Sequence, residues 1–185
     1  MTVIARADRG FFGFAIVAMV AVVVASNILV QYPFEPFGLA DWLTWGAFTY
    51  PLAFFVTDLT NRQIGAGAAR RVVYAGFLVA VLLSALLSEP RIAAASGLAF
   101  LVGQLLDVTI FNSLRRQVWW RAPLVSSALA SIVDTVIFFT AAFAFSGLPW
   151  IGWAAGDLAV KFIFTVGLLA PFRLFIAFTR RPQAA

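Results

Sequence analysis

Six long stretches of the chain are nearly unbroken runs of apolar residues, separated by short polar connections. The runs cover approximately residues 11–31, 42–62, 71–88, 92–111, 124–146 and 151–178. A helix rising about 1.5 Å per residue needs roughly 20 apolar residues to cross a hydrocarbon layer about 30 Å thick, and each run comes close to that. The connections "YPFEPFGLAD", "RQIGAGAARR", "SEPR", "NSLRRQVWWRAP" and "SGLPWIGW" are rich in turn-forming residues. The pattern predicts an all-α, polytopic membrane protein: a single transmembrane domain over residues 1–185, built as a bundle of six helices. The first run imitates a secretory signal in having Arg6 and Arg9 before it. It continues through "NILV" to Val30, however, and reads as a membrane helix.

Composition agrees with the pattern. The chain is 63% hydrophobic and 11% charged, whereas a soluble domain carries roughly a quarter charged residues. Cysteine and histidine are both absent, which excludes disulfides, thiolate or imidazole metal sites, and Ser-His or Cys-His catalysis. No cofactor is implied, and no enzyme activity is expected.

Charge placement adds an orientation. Arg6, Arg9, Arg62, Arg70, Arg71, Arg115, Arg116, Arg121, Arg180 and Arg181 all fall on one side of the predicted bundle, against Arg91 on the other. By the positive-inside rule both termini are expected in the cytoplasm. The net charge of +5 then suits anionic lipid rather than nucleic acid. Trp119 and Trp120 beside Arg121 read as an interfacial anchor, and Arg173 as a residue that snorkels to the headgroups.

The polar residues inside the runs are the candidate chemistry, because an ionisable side chain in lipid costs several kcal/mol unless it pairs or lines a cavity. Counting about 1.5 Å per residue puts Gln104, Asp107, Asp134 and Lys161 roughly 15–22 Å from the outer surface, on three different helices. Phe100, Gln104, Asp107 and Phe111 share one helical stripe, and Ser127, Ser131, Asp134 and Phe138 another. Asp157 precedes Lys161 by four residues, a spacing that favours an ion pair, and Asp58 has the same relation to Arg62. Pro51 interrupts the second run and predicts a broken helix of the kind that lines transporter sites. Two acids, Asp107 and Asp134, are expected to face one lysine, leaving a negative charge for a proton or an incoming cation to match.

The same residues carry a likeness. The stretches "SNILVQYPF", "WGAFTYPLAFFVTDLTNRQIGAGAARRVVY", "RIAAASGLAFLVGQLLDVTIFNSLRRQVWWRAP", "DTVIFFTAAF" and "DLAVKFIFTVGLLAP" resemble the bacterial queuosine precursor transporter family of the wider vitamin-uptake group. The connection "SEPR" is shorter than in that family, and "NRQIG" lacks an acidic residue that many relatives have there. The resemblance implies a multi-pass protein of the bacterial inner membrane that imports 7-deazaguanine bases, with 7-cyano or 7-aminomethyl groups. Its expected binding residues are Asn27, Gln104, Asp107, Asp134, Lys161, Phe100, Phe111 and Phe138. A carboxylate accepts the two N–H donors of a guanine edge, an ammonium or amide donates to O6, and aromatic faces cover the ring. Asp107 or Asp134 is expected to hold that edge.

Rival readings remain open at this stage. The small-residue pair Ala21 and Ala25 could dock an energy-coupling partner, making the chain the substrate-binding subunit of an ATP-driven uptake complex. The chain has no P-loop of its own. A structural membrane protein is the second alternative, and self-association through Ala and Gly faces is open. Intramembrane aspartyl proteolysis needs a glycine-x-glycine-aspartate signature, which neither "GQLL" before Asp107 nor "LASIV" before Asp134 supplies.

Overall fold

The computed structural model describes residues 6–179 and, among them, is built of helices with no strand. Among the described residues five helical segments are long and apolar enough to cross a membrane: Asp8–Leu29, Ala66–Leu87, Pro90–Leu114, Arg121–Phe143 and Trp150–Thr179. The protein is thus a multi-pass membrane protein. In chain order the helices are α1 (Arg6–Leu29), α2 (Gly46–Thr49), α3 (Pro51–Ile64), α4 (Ala66–Leu87), α5 (Pro90–Leu114), α6 (Arg121–Phe143), α7 (Trp150–Gly167) and α8 (Leu169–Thr179), with a single 3-10 turn at Pro36–Gly38. Arg180 and Arg181, part of the charge argument above, lie outside the described residues.

Two apolar runs are divided, and proline accounts for both breaks. The run over 42–62 starts as helix only at Gly46, because the preceding chain folds back on itself: Phe34 donates to the Leu43 carbonyl and Trp45 to that of Tyr32. Pro51, at the first position of α3, has no N–H for the Ala47 carbonyl. Tyr50, between the two pieces, keeps helical angles of φ −57° and ψ −40°, so α2 and α3 continue each other across the missing bond. In the last run Pro171 likewise leaves the Gly167 carbonyl without its usual donor, and α7 hands over to α8 at Leu168.

Turn chemistry supplies the tight joins. Gly65 sits at φ +95°, a conformation that residues with a Cβ rarely adopt, and its N–H closes α3 on the Thr60 and Asn61 carbonyls. Arg91 donates to the Ala141 and Ala144 carbonyls at the end of α6, serving acceptors that the helix leaves unmatched.

The core forms two apolar clusters. Met19, Val72, Val73, Phe100 and Val108 bring α1, α4 and α5 around Ala53 of α3. Phe111, Ala122, Phe172 and Ile176 join α5, α6 and α8. Apolar side chains such as Phe14, Leu78, Leu86, Ile163 and Phe178 are exposed, as expected of faces whose solvent is lipid. Polar groups buried in the core make up the candidate site.

Candidate functional site

Lys161 of α7 is buried, and three acceptors surround its ammonium. Its Nζ lies 2.6 Å from Asp134 Oδ2 on α6 and 2.6 Å from Asp157 Oδ2 one turn earlier on α7, and it donates to Thr135 Oγ1 at 2.9 Å. All three ammonium hydrogens are therefore used. The Thr135 hydroxyl in turn donates a hydrogen bond to Asp157 Oδ2 at 2.8 Å. Tyr50, the residue before the helix-breaking proline, donates to Asp134 Oδ1 at 2.7 Å and presents its ring 5.0 Å from the Lys161 ammonium. With two acids and one lysine, the cluster carries a formal charge of −1 if every group is ionised.

Packing holds Asp134 in place. A Cβ added at Gly103 of α5 would stand 3.0 Å from Asp134 Cβ and 3.4 Å from its Oδ1. The absence of a side chain at position 103 thus lets α5 and α6 approach at the level of the acid.

A second polar layer lies further along the bundle, between α3, α5 and α6. Ser127 Oγ is within reach of both Asp58 Oδ2 at 3.2 Å and Asp107 Oδ1 at 3.4 Å, and Ser126 Oγ is 3.5 Å from Asp58 Oδ1. The two carboxyl groups thus meet at the Ser127 hydroxyl. On the same seam Thr57 donates to Gln104 Oε1 at 2.6 Å and Asn61 Nδ2 to the Val108 carbonyl at 3.0 Å. Three buried atoms here have no protein partner: Asn61 Oδ1, Gln104 Nε2 and Asp107 Oδ2.

Two narrow cavities flank these layers. One of about 20 Å³ is lined by Pro51, Phe54, Asp58, Ser127, Thr165 and Phe172, among others. The other, about 10 Å³, is lined by Ser26, Asn27, Tyr50 and Phe100 among others. Each has room for roughly one water, well below the roughly 300 Å³ of a small ligand pocket. In this conformation neither cavity admits a bicyclic guest.

The sequence-predicted residues are divided by the structure. Asp134 and Lys161 meet, and the Asp157–Lys161 pair forms as its spacing predicts. Asp107 does not join them: the second acid on the lysine is Asp157, and Asp107 turns to Asp58 instead. The reason is depth, since Asp107 lies about one turn beyond Gly103, the residue that faces Asp134. Asp58 was expected to pair with Arg62; its carboxyl meets the serines and Asp107, while Arg62 donates to the Arg115 carbonyl at 2.6 Å.

Gln104 is buried beside Thr57. Asn27 accepts from Ser84 at 3.0 Å and tethers α1 to α4 next to the smaller cavity. Phe100 packs edge-on to Tyr50 at 6.3 Å. Phe111 packs against Phe172 at 6.0 Å within the second apolar cluster. Phe138 is half-buried among Phe139 and Phe143. The last two thus serve aromatic packing in this conformation.

Trp119 carries the Arg173 guanidinium 5.3 Å from its ring centre, so Arg173, expected to snorkel, is held at the same end of the bundle by a cation–π contact. Sequence reasoning missed Tyr50 and Thr135. The proline after Tyr50 was a usable signal for the first, while Thr135, one residue beyond Asp134, gave none.

A helical membrane protein with an ion cluster gathered where a proline-broken helix meets two others has the architecture of a membrane transporter. The comparisons name the kind. The family model described as "putative vitamin uptake transporter" matches residues 44–89 and 83–176. The queuosine precursor transporter of Escherichia coli strain K12 is 36% identical, the match covering 81% of this chain and 79% of that one. A "probable queuosine precursor transporter" of Haemophilus influenzae is 38% identical over 72% of this chain and 71% of its own. One from Bacillus subtilis is 32% identical over 65% and 64%. No solved structure matches the chain. The chain belongs to the queuosine precursor transporter family.

Proposed function

We propose that this protein imports 7-deazaguanine queuosine precursors across the bacterial inner membrane, with Asp134 as the residue that grips the guanine-like edge. The chain would cross six times, with α2 and α3 together forming the sixth span and both termini in the cytoplasm, as the arginine distribution favours. The observation that carries this reading is the Lys161 cluster: an ammonium held 2.6 Å from two carboxylates, with Tyr50 on one of them, inside an apolar bundle.

The chemistry matches the guest. Both oxygens of Asp134 already accept hydrogen bonds, from Tyr50 and Lys161. The N1–H and 2-amino group of the base offer the same carboxylate two parallel donors. When the base takes Asp134, Asp157 remains as counter-ion to Lys161, so the ammonium is never left unmatched. Tyr50 or Lys161 is then free to donate to O6. Phe100, edge-on to Tyr50, supports the ring that would flank the base, and Gln104 and Asn27 would offer it further amide partners. The surplus negative charge suits a cationic 7-aminomethyl group. Because the site is closed, entry requires α7 to move relative to α6, and the breaks at Pro51 and Leu168 supply the hinges.

The test is uptake of labelled 7-cyano- and 7-aminomethyl-7-deazaguanine into proteoliposomes containing only this chain. Uptake that disappears with Asp134→Asn supports the assignment. Equal uptake by wild type and Asp134→Asn refutes the site. Uptake that needs an added ATP-driven partner converts the chain into the binding subunit of a complex.

A further inference from the structure

Asp58 and Asp107 have no part in the ion cluster just described, although both are buried, at 2% and 0% exposed. Their carboxyl groups meet at one hydroxyl, Ser127 Oγ, which lies 3.2 Å from Asp58 Oδ2 and 3.4 Å from Asp107 Oδ1. Two carboxylates brought to one hydroxyl in a dry interior favour holding a proton between them, because repulsion and desolvation both oppose a second charge. The hydrogen bonding gives a second, independent sign. Asp107 Oδ2 is a fully buried acceptor with no donor, and a proton carried by Asp58 is the donor that would satisfy it. Beside the pair, the cavity of about 20 Å³ lined by Asp58 and Ser127 has room for one water to deliver or remove that proton.

The neighbouring charges are engaged elsewhere. Lys161 of α7 is held by Asp134 and Asp157, Arg62 of α3 reaches the Arg115 carbonyl, and Arg173 of α8 covers the Trp119 ring. Arg70 and Arg71 on α4 and Arg121 on α6 are exposed.

We propose that the Asp58–Asp107 pair is a proton-binding site, separate from the Lys161 cluster, through which a proton gradient drives uptake. This deepens the uptake reading and rests on it. In the closed, dry state the pair keeps one shared proton and a charge of −1. When the bundle opens inward, water hydrates both carboxylates, the proton leaves to the cytoplasm and the pair becomes −2. A proton entering from the outer side restores it, and no bond of the transported base changes.

The experiment uses the neutral 7-cyano base, which a pH gradient cannot trap by itself, in proteoliposomes with an acid exterior. With one proton per base, wild-type protein accumulates it about tenfold per pH unit. Asp58→Asn keeps exchange of labelled for unlabelled base but accumulates none, and Asp107→Asn likewise accumulates none. Accumulation that ignores the pH gradient, follows a sodium gradient, or survives both substitutions overturns the proposal.

Infrared difference spectra of the base-free protein provide a readout independent of transport. A protonated-carboxyl C=O band at neutral pH, lost in either variant, is expected, and its absence overturns the pair. If the band is present but the base is not taken up, the uptake reading falls and the proton pair stands. If uptake occurs without the band, the opposite holds. Should one substitution prevent folding, the other variant and the wild-type spectrum still decide.

Discussion

The two polar layers of this bundle solve the problem of burying acids in opposite ways. Around Lys161, two carboxylates share one ammonium, every ammonium hydrogen has an acceptor, and Tyr50 and Thr135 complete the network. Around Asp107, two carboxyl groups share a hydroxyl and one oxygen has no donor. The first arrangement is complete as a set of fixed charges, and a ligand must compete with it. The second leaves an acceptor, Asp107 Oδ2, without a donor among the protein's own groups. The two layers thus differ in charge compensation, and the proposed roles of guest site and proton site follow that difference.

The largest effect is expected from the cation. Lys161→Met would leave Asp134 and Asp157 buried without their partner, a change of the kind that costs about 3–5 kcal/mol. Uptake should be abolished and thermal unfolding in detergent should shift sharply downward. A stable, active Lys161→Met protein would show that the cluster is not organised by its charge.

Asp134→Asn keeps the shape but weakens a charge-assisted bond, worth about 1.5–3 kcal/mol. Affinity for the 7-cyano base should fall by roughly 10-fold to 100-fold. Asp157→Asn should cost less, because Asp134 still holds the lysine. Equal losses from the two substitutions, measured as binding by calorimetry, would erase the distinction between edge-binding acid and counter-ion.

Gly103→Ala comes next. Its new Cβ would press on Asp134 at 3.0 Å, and overpacking of this kind costs about 1–3 kcal/mol. Reduced affinity with intact pH coupling is expected, because Asp134 moves while the Asp58–Asp107 pair is untouched. The smallest effect belongs to Phe138→Leu, whose ring packs with Phe139 and Phe143. A change of less than about twofold in affinity is expected, and a larger one would bring Phe138 back into the site.

How much of this was legible in the sequence depends on the range of the interaction. Apolar runs, short connections and the i,i+4 relation of Asp157 to Lys161 are properties of consecutive residues, so they carry over to the helices and the ion pair. Pro51 announced a broken helix for the same local reason, although the chain before it folds back and moves the break to one turn after the helix start. Depth counting brought Asp134 and Lys161 to one level correctly. It could not resolve the turn of helix that separates Asp107 from them, because offsets between neighbouring helices depend on loop geometry and crossing angle.

The sequence alone settles that this protein lives in lipid as helices, since a backbone without water to bond must satisfy itself and the composition leaves no other medium for its side chains. It also selects the handful of polar residues that lipid would otherwise reject. Which acid faces which partner was decided only when the helices packed. A glycine at 103 brings α5 against α6 beside Asp134, and the seam between α3 and α5 turns Asp58 toward Asp107. Side chains 27, 49 or 84 residues apart in the chain become hydrogen-bonding or charge partners by tertiary packing, and no local periodicity encodes that choice.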